Sequence, residues 1–221
     1  MIKKIQILGP FNTGTNLLSK ILKNIDQIIE IHPEGHTLFW KHTIRKEKIQ
    51  QHIDSNNDTL FICLYKPLHN WLCSMLKASY ALKWNKKLES KIHNFRGLNF
   101  TNIVDVYNTY YNGYMELINN NDRVIFMNYY DIINESTATV EEYITNKLSP
   151  FNLSLRINNN ISLILNKPAK NHGKSVKSSE IARKKKKACF NIINNCNKNR
   201  TIIEKYYNYE ITKYFERDNE Q

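Results

Sequence analysis

A chain of 221 residues with 41% hydrophobic residues suits one globular domain with a full core. Its formal net charge of +12 fits an anionic ligand or partner, and equally a Lys-, Asn- and Ile-rich composition with a solvated basic surface. No stretch approaches the roughly 20 apolar residues that span a bilayer, and the apolar run after Met1 is too short for a signal peptide, so a soluble, cytoplasmic protein is expected.

Residues 2–8 read as a buried strand ending at Gly9. Leu17, Leu18, Ile21, Leu22 and Ile25 then recur at helical spacing, so a helix starts from Thr15. Residues 37–42 suggest a second short strand and 44–53 a polar helix. The apolar run 59–65 follows a turn-like Ser55-Asn56-Asn57-Asp58 and has the character of a central parallel strand covered on both faces. A helix is predicted over 68–82 with Trp71, Leu72, Met75 and Leu76 inward. An irregular stretch is expected at 84–100, an aromatic helix at 101–119, a strand at 124–129 and a helix to about residue 147. Strands alternating with helices predict an α/β domain with a central parallel sheet flanked by helices. Beyond Pro150 the chain is Asn-rich, then basic, with helices predicted near 179–197 and 199–217. No internal repeat stands out. The expected organisation is one domain over 1–221, with a nucleotide-binding core at 1–150 completed by residues 151–221.

Cys63, Cys73, Cys189 and Cys196 show no CxxC spacing, so a cysteine zinc site is not expected; Cys63 lies in an apolar run and Cys73 in an amphipathic one, so both are expected to be reduced core residues. His32 and His36 are four apart, but Pro33 and Gly35 between them break the helix that would align both rings on a metal.

The chemistry concentrates in Gly9-Pro10-Phe11-Asn12-Thr13-Gly14-Thr15-Asn16. A strand, a glycine-bounded loop and a helix cradle phosphates, because N–H groups at a helix start lack intrahelical partners and the helix dipole is positive there. Gly9 and Gly14 have GxxxxG spacing, but Thr15-Asn16 follows where a Walker loop has Lys-Ser/Thr. This disfavours an ordinary ATPase or kinase. What remains suits a single 5′-phosphate held by loop amides and the hydroxyls of Thr13 and Thr15; a plain strand-to-helix turn capped by Thr is the bland alternative.

The segment Pro10 to Leu17 resembles the 5′-phosphosulfate loop of sulfotransferases that use 3′-phosphoadenylyl sulfate (PAPS). Leu64-Tyr65-Lys66-Pro67-Leu68-His69-Asn70-Trp71-Leu72-Cys73-Ser74-Met75 resembles that family's 3′-phosphate segment, in which a strand-end cation is followed eight residues later by a serine. Lys66 and Ser74 keep the spacing. Asn128-Tyr129-Tyr130-Asp131-Ile132 is similar to the family's Tyr-Glu-Asp-Leu segment, which places Tyr129 near an adenine. The resemblance covers about residues 2–147 and implies the P-loop-like sulfotransferase fold. It implies transfer of a sulfuryl group from PAPS to a hydroxyl or amine acceptor, with adenosine 3′,5′-bisphosphate (PAP) as product and no catalytic metal.

Family members carry a catalytic histidine in a Lys/His segment comparable to Phe39-Trp40-Lys41-His42-Thr43, which implies His42 as base and Lys41 as the group stabilising the transferring sulfonate. Lys174, in the basic stretch 170–177, matches a loop that relatives bring onto the 3′-phosphate. The chain departs from the family at Asn12, where many relatives have Lys or Arg, so either Lys41 supplies that charge or turnover is slow. The expected cofactor contacts are therefore Asn12, Thr13, Gly14, Thr15, Asn16, Lys66, Ser74, Tyr129 and Lys174. Segment 84–100 and Tyr107, Tyr110, Tyr111 and Tyr114 are expected to read the acceptor, which is left open among a glycan, a small alcohol, a phenol and a protein side chain.

Two other classes stay open. A degenerate kinase or NTPase needs a magnesium carboxylate at a strand end, whereas the central strand ends in Lys66. A non-catalytic nucleotide- or RNA-binding protein would use the loop and the +12 charge, but the run Arg183-Lys184-Lys185-Lys186-Lys187 lacks interleaved stacking aromatics and reads as a solvated helix face.

Overall fold

The all-apolar run becomes the central strand β3 (Thr59–Tyr65), buried at every position. Alternation along it feeds both faces of the sheet. Phe61, Cys63 and Tyr65 join one apolar cluster, while Leu60, Ile62 and Leu64 join a second on the opposite side. These features come from a computed structural model describing residues 1–25, 29–32, 40–78, 82–133, 136–155, 160–166 and 197–216.

β1 (Lys4–Leu8) runs parallel to β3 with Leu8 opposite Cys63. β2 (Glu30–His32) runs parallel to β1 on its other edge, with Lys4 opposite Glu30. β6 (Val124–Asn128) closes the far side in parallel, with Asn128 opposite Tyr65. The sheet order is β2-β1-β3-β6. The second strand thus lies upstream of 37–42. Residues 33–39 fall outside the described ones, and 40–43 form a turn in which the Thr43 amide and hydroxyl both donate to the Trp40 carbonyl. Trp40 is apolar because it packs on Phe11, not because it lies in a sheet.

α1 (Thr15–Leu22) follows β1 and buries Leu17, Leu18, Ile21 and Leu22. α2 (Lys46–Ser55) precedes β3, and α3 (Leu68–Lys77) follows it. Pro67 (φ −52°) stands immediately before α3, where its fixed backbone angle suits helix entry and its missing N–H costs nothing. Trp71, Leu72 and Met75 are fully buried and Leu76 is partly so.

The stretch expected to be irregular contains an antiparallel hairpin, β4 (Ile92–Phe95) and β5 (Leu98–Phe100), on the same side of the sheet as α3. α4 (Ile103–Asn120) starts at Asn102, whose side chain accepts from the Asp105 amide at 3.0 Å. After β6 the predicted single helix divides into α5 (Tyr129–Ile132) and α6 (Thr137–Leu148), because Ser136 caps a fresh helix start by accepting from Thr139.

The C-terminal part contributes α7 (Asn160–Asn166), α8 (Asn197–Tyr206) and α9 (Glu210–Glu216). One helix over 199–217 is interrupted because the Asn208 side chain accepts from the Glu210 amide and starts a new helix. Cys189, the helix predicted near 179–197 apart from Asn197, Lys174 and the 183–187 run all lie outside the described residues. Among the described residues, no helix is long and apolar enough to cross a membrane.

The order β2-β1-β3-β6 contains a switch point. From β1 the chain goes to one side to form β2, then crosses back to form β3 on the other. In open parallel sheets a crevice forms there, beyond the carboxyl ends of the two strands. Gly9 and Lys66 stand at those ends.

Candidate functional site

Lys66 is the centre of the crevice. It is 6% exposed, and its ammonium donates to the Asn12 carbonyl at 2.9 Å and to Ser74 Oγ at 2.8 Å. Ser74 Oγ in turn donates a hydrogen bond to the Asn70 carbonyl, 3.1 Å away, one turn earlier in α3. The ammonium also sits 4.5 Å from the centre of the Tyr129 ring. Among the described residues no carboxylate pairs with it. Burial without a counter-charge lowers its pKa from 10.5 to about 8, with Lys77 adding a smaller push downward and Cys73 opposing it.

The cleft around this ammonium has a volume of about 310 Å³, and its walls come from Asn12, Asn70, Ser74, Lys77, Tyr129 and Tyr130 among others. The structure brings Asn12, Lys66, Ser74 and Tyr129 together in one cleft, from segments that follow or end three different strands.

The loop has its own architecture. Asn12 is in the left-handed region (φ 63°), which asparagine tolerates. Its side chain turns away from the loop and donates to the Ala78 carbonyl at 2.6 Å, tying down the end of α3. Thr13 is buried and donates to the Pro10 carbonyl at 2.7 Å, so its hydroxyl shapes the loop from inside. Its oxygen lies 2.5 Å from where a Cβ on Gly9 would be, which requires glycine there. Gly14 (φ 91°) precedes α1 with no side-chain cap, and no acidic residue lies in the first turn. The Thr13 and Thr15 side chains do not cap the helix, and its first N–H groups keep their affinity for an outside anion.

Lys41 and His42 stand on the opposite flank of this loop and do not line the cleft. The Gly9 amide donates to the Lys41 carbonyl at 3.0 Å, and Lys41 Nζ donates to Asn16 Oδ1 at 2.5 Å. His42 Nδ1 is 2.6 Å from the Gly9 carbonyl. A carbonyl only accepts, so Nδ1 carries the proton and Nε2 is the basic nitrogen of the neutral ring. The ring packs against Phe11 at 4.5 Å and Trp40 at 5.1 Å between centroids.

The tyrosines of α4 have a different role from the one expected. Tyr107, Tyr110, Tyr111 and Tyr114 are at most 1% exposed, so they offer no surface to an acceptor. Instead Tyr107, Tyr110 and Tyr111 bond the backbone on which the site stands, while the buried Tyr114 hydroxyl has no hydrogen-bond partner among the described residues. Tyr111 Oη accepts from the Lys66 amide at 3.0 Å and donates to the Leu64 carbonyl at 3.2 Å. Tyr107 donates to the Lys66 carbonyl at 2.9 Å, and Tyr110 to the His42 carbonyl at 2.8 Å. Trp71 Nε1 adds a bond of 2.7 Å to the Phe11 carbonyl. The spacing 107, 110, 111, 114 marks one helix face; nothing in it marks which carbonyls that face would meet.

Cys63 is fully buried and desolvation pushes its thiol pKa up, as for an inert core cysteine. Among the described residues, no group of three His, Cys, Asp or Glu side chains is placed to hold a metal ion. No protein-family model matches the sequence, and no curated protein or solved structure matches it.

Proposed function

We propose that this protein is a sulfotransferase that takes a sulfuryl group from 3′-phosphoadenylyl sulfate and passes it to a hydroxyl. The observation that carries the reading is Lys66: a buried ammonium without a carboxylate partner among the described residues, bonded to Ser74, at the switch point beside a helix-initiating glycine loop. A buried cation in that setting is completed by an anion from outside.

The residues fit such a donor. Lys66 and Ser74 hold the 3′-phosphate, the N–H groups around Gly14, Thr15 and Asn16 hold the 5′-phosphosulfate, and Tyr129 stands beside the adenosine. On the far flank of the loop, His42 Nε2 takes the acceptor proton, and Lys41, held by Asn16, places its charge beside the sulfonate. The donor supplies the sulfuryl group: the acceptor oxygen–sulfur bond forms as the sulfur–oxygen bond to the phosphate breaks, and adenosine 3′,5′-bisphosphate leaves with that electron pair. With the Asn12 amide committed to Ala78, the charge near the leaving oxygen comes from Lys41.

Calorimetry with adenosine 3′,5′-bisphosphate, against ADP with magnesium, tests the reading. Preference for the bisphosphate is expected. Preference for ADP–magnesium would reassign the site to a kinase or NTPase.

A further inference from the structure

The flank that carries His42 has a second feature that the donor does not use. The β4–β5 hairpin turns through Arg96 (φ 56°) and Gly97 (φ 77°), and Asn94 (φ 51°) stands in the same left-handed region within β4. Positive φ at both residues of a two-residue turn matches the twist of the flanking strands, and contacts with the rest of the fold fix where this turn points. Phe95 packs on Phe11 at 6.0 Å, and Arg45 Nη2 reaches the Gly97 carbonyl at 3.4 Å. A Cβ on residue 97 would lie 2.6 Å from that nitrogen.

The turn delivers the Arg96 guanidinium onto Trp40, 3.9 Å from the ring centre, and Trp40 in turn stands edge-on to His42. Arg96 is exposed and Arg45 half-buried. Neither has a carboxylate partner among the described residues.

We infer that Arg96 and Arg45 anchor an anionic acceptor, a hydroxyl compound bearing a carboxylate, phosphate or sulfate group. The inference rests on the proposed transfer reaction. Stacking on an aromatic ring uses the face of a guanidinium and leaves its in-plane N–H groups available, and that planar fork matches an oxyanion with two parallel bonds. The donor's 3′-phosphate is provided for on the other flank by Lys66, so the arginines have no part in holding it. Their charge also offsets the repulsion that an anionic acceptor meets on approaching an anionic donor.

The test uses pairs of hydroxyl compounds that differ in charge: a glucuronate-containing disaccharide against its neutral counterpart, and 4-hydroxyphenylacetate against 4-ethylphenol. Calorimetry with the protein saturated in adenosine 3′,5′-bisphosphate reads acceptor binding without turnover. The charged member of at least one pair is expected to bind about tenfold or more tightly than the neutral one. Arg96→Ala should abolish the difference, Arg45→Ala should reduce it, and Arg96→Lys should fall between wild type and Arg96→Ala. Equal binding within both pairs, no binding by any member, or a preference that survives Arg96→Ala overturns the inference. Transfer assays with the same pairs separate it from the parent reading. Equal turnover of neutral and charged acceptors keeps the transferase and removes the anion site; charge-selective binding without transfer does the reverse.

Discussion

The hydroxyl of Tyr111 bridges the two peptide groups on either side of Tyr65, accepting from the Lys66 amide and donating to the Leu64 carbonyl. One side chain of α4 therefore sets the position of Lys66, just where β3 leaves the sheet. Tyr107 takes the Lys66 carbonyl, and Tyr110 does the same for His42 on the other flank.

Tyr111→Phe should destabilise the protein by about 1–3 kcal/mol, because it leaves a buried amide without a partner. Chemical denaturation measures the loss. If the clamp positions Lys66, affinity for adenosine 3′,5′-bisphosphate should fall as well under conditions where the variant is fully folded. Unchanged affinity would make Tyr111 a core residue only.

Lys66→Ala should weaken binding of a 3′-phosphorylated nucleotide roughly 10- to 100-fold, the worth of a charge-assisted hydrogen bond to a desolvated phosphate. The same nucleotide without its 3′-phosphate should lose much less. Equal losses in calorimetry would show that Lys66 serves the fold and not that phosphate.

The lowered pKa of Lys66, about 8, gives the site a pH signature. Between pH 8 and the ordinary lysine value the unfolded chain binds more protons than the folded one, so this group adds stability as pH rises through that window. A bound phosphate reverses the preference by favouring the charged form. Binding of adenosine 3′,5′-bisphosphate should weaken above pH 8 and take up as much as about one proton at pH 9, but almost none at pH 6.5. Titrations in buffers of different ionisation enthalpy measure this uptake. Its absence at pH 9 would mean that the phosphate does not meet Lys66.

Gly14→Ala should damage both loop and fold. Its left-handed backbone costs an L-residue about 1–2 kcal/mol, and the new Cβ would lie 2.6 Å from the Tyr129 ring. Thermal unfolding should fall by several degrees, with nucleotide binding lost. Wild-type stability and binding would show that the loop relaxes freely around residue 14.

His42→Ala should keep nucleotide affinity and abolish transfer, since the ring meets the loop at the Gly9 carbonyl and in aromatic packing and does not line the cleft. Rapid turnover in that variant would move the base elsewhere.

Local pattern made much of this molecule legible in the sequence. The period change at Thr15, the unbroken apolar run of β3 and the spacing of Lys66 and Ser74 each report on neighbours within one or two turns, and periodicity carries that information. The same locality explains the misses. Trp40 reads as part of a strand because apolar side chains announce burial without saying against what, and it is covered by Phe11 and Arg96 in place of a sheet partner. The α4 tyrosines look equally suited to a ligand or a core, since a phenol serves both.

By its order of residues alone, the chain determined an α/β sheet, a glycine loop without a Walker lysine, and a cation at the end of the central strand. Only the tertiary structure decided that β1 and β3 are neighbours, so that loop and cation meet. It also turned Thr13 inward to build the loop and Asn12 outward onto the end of α3, and it left Lys41 and His42 outside the cleft around Lys66. The physical reason is that hydrogen-bond partners 33 to 66 residues apart, such as Gly9 with His42 or Asn12 with Ala78, depend on strand order and register. No local pattern encodes those.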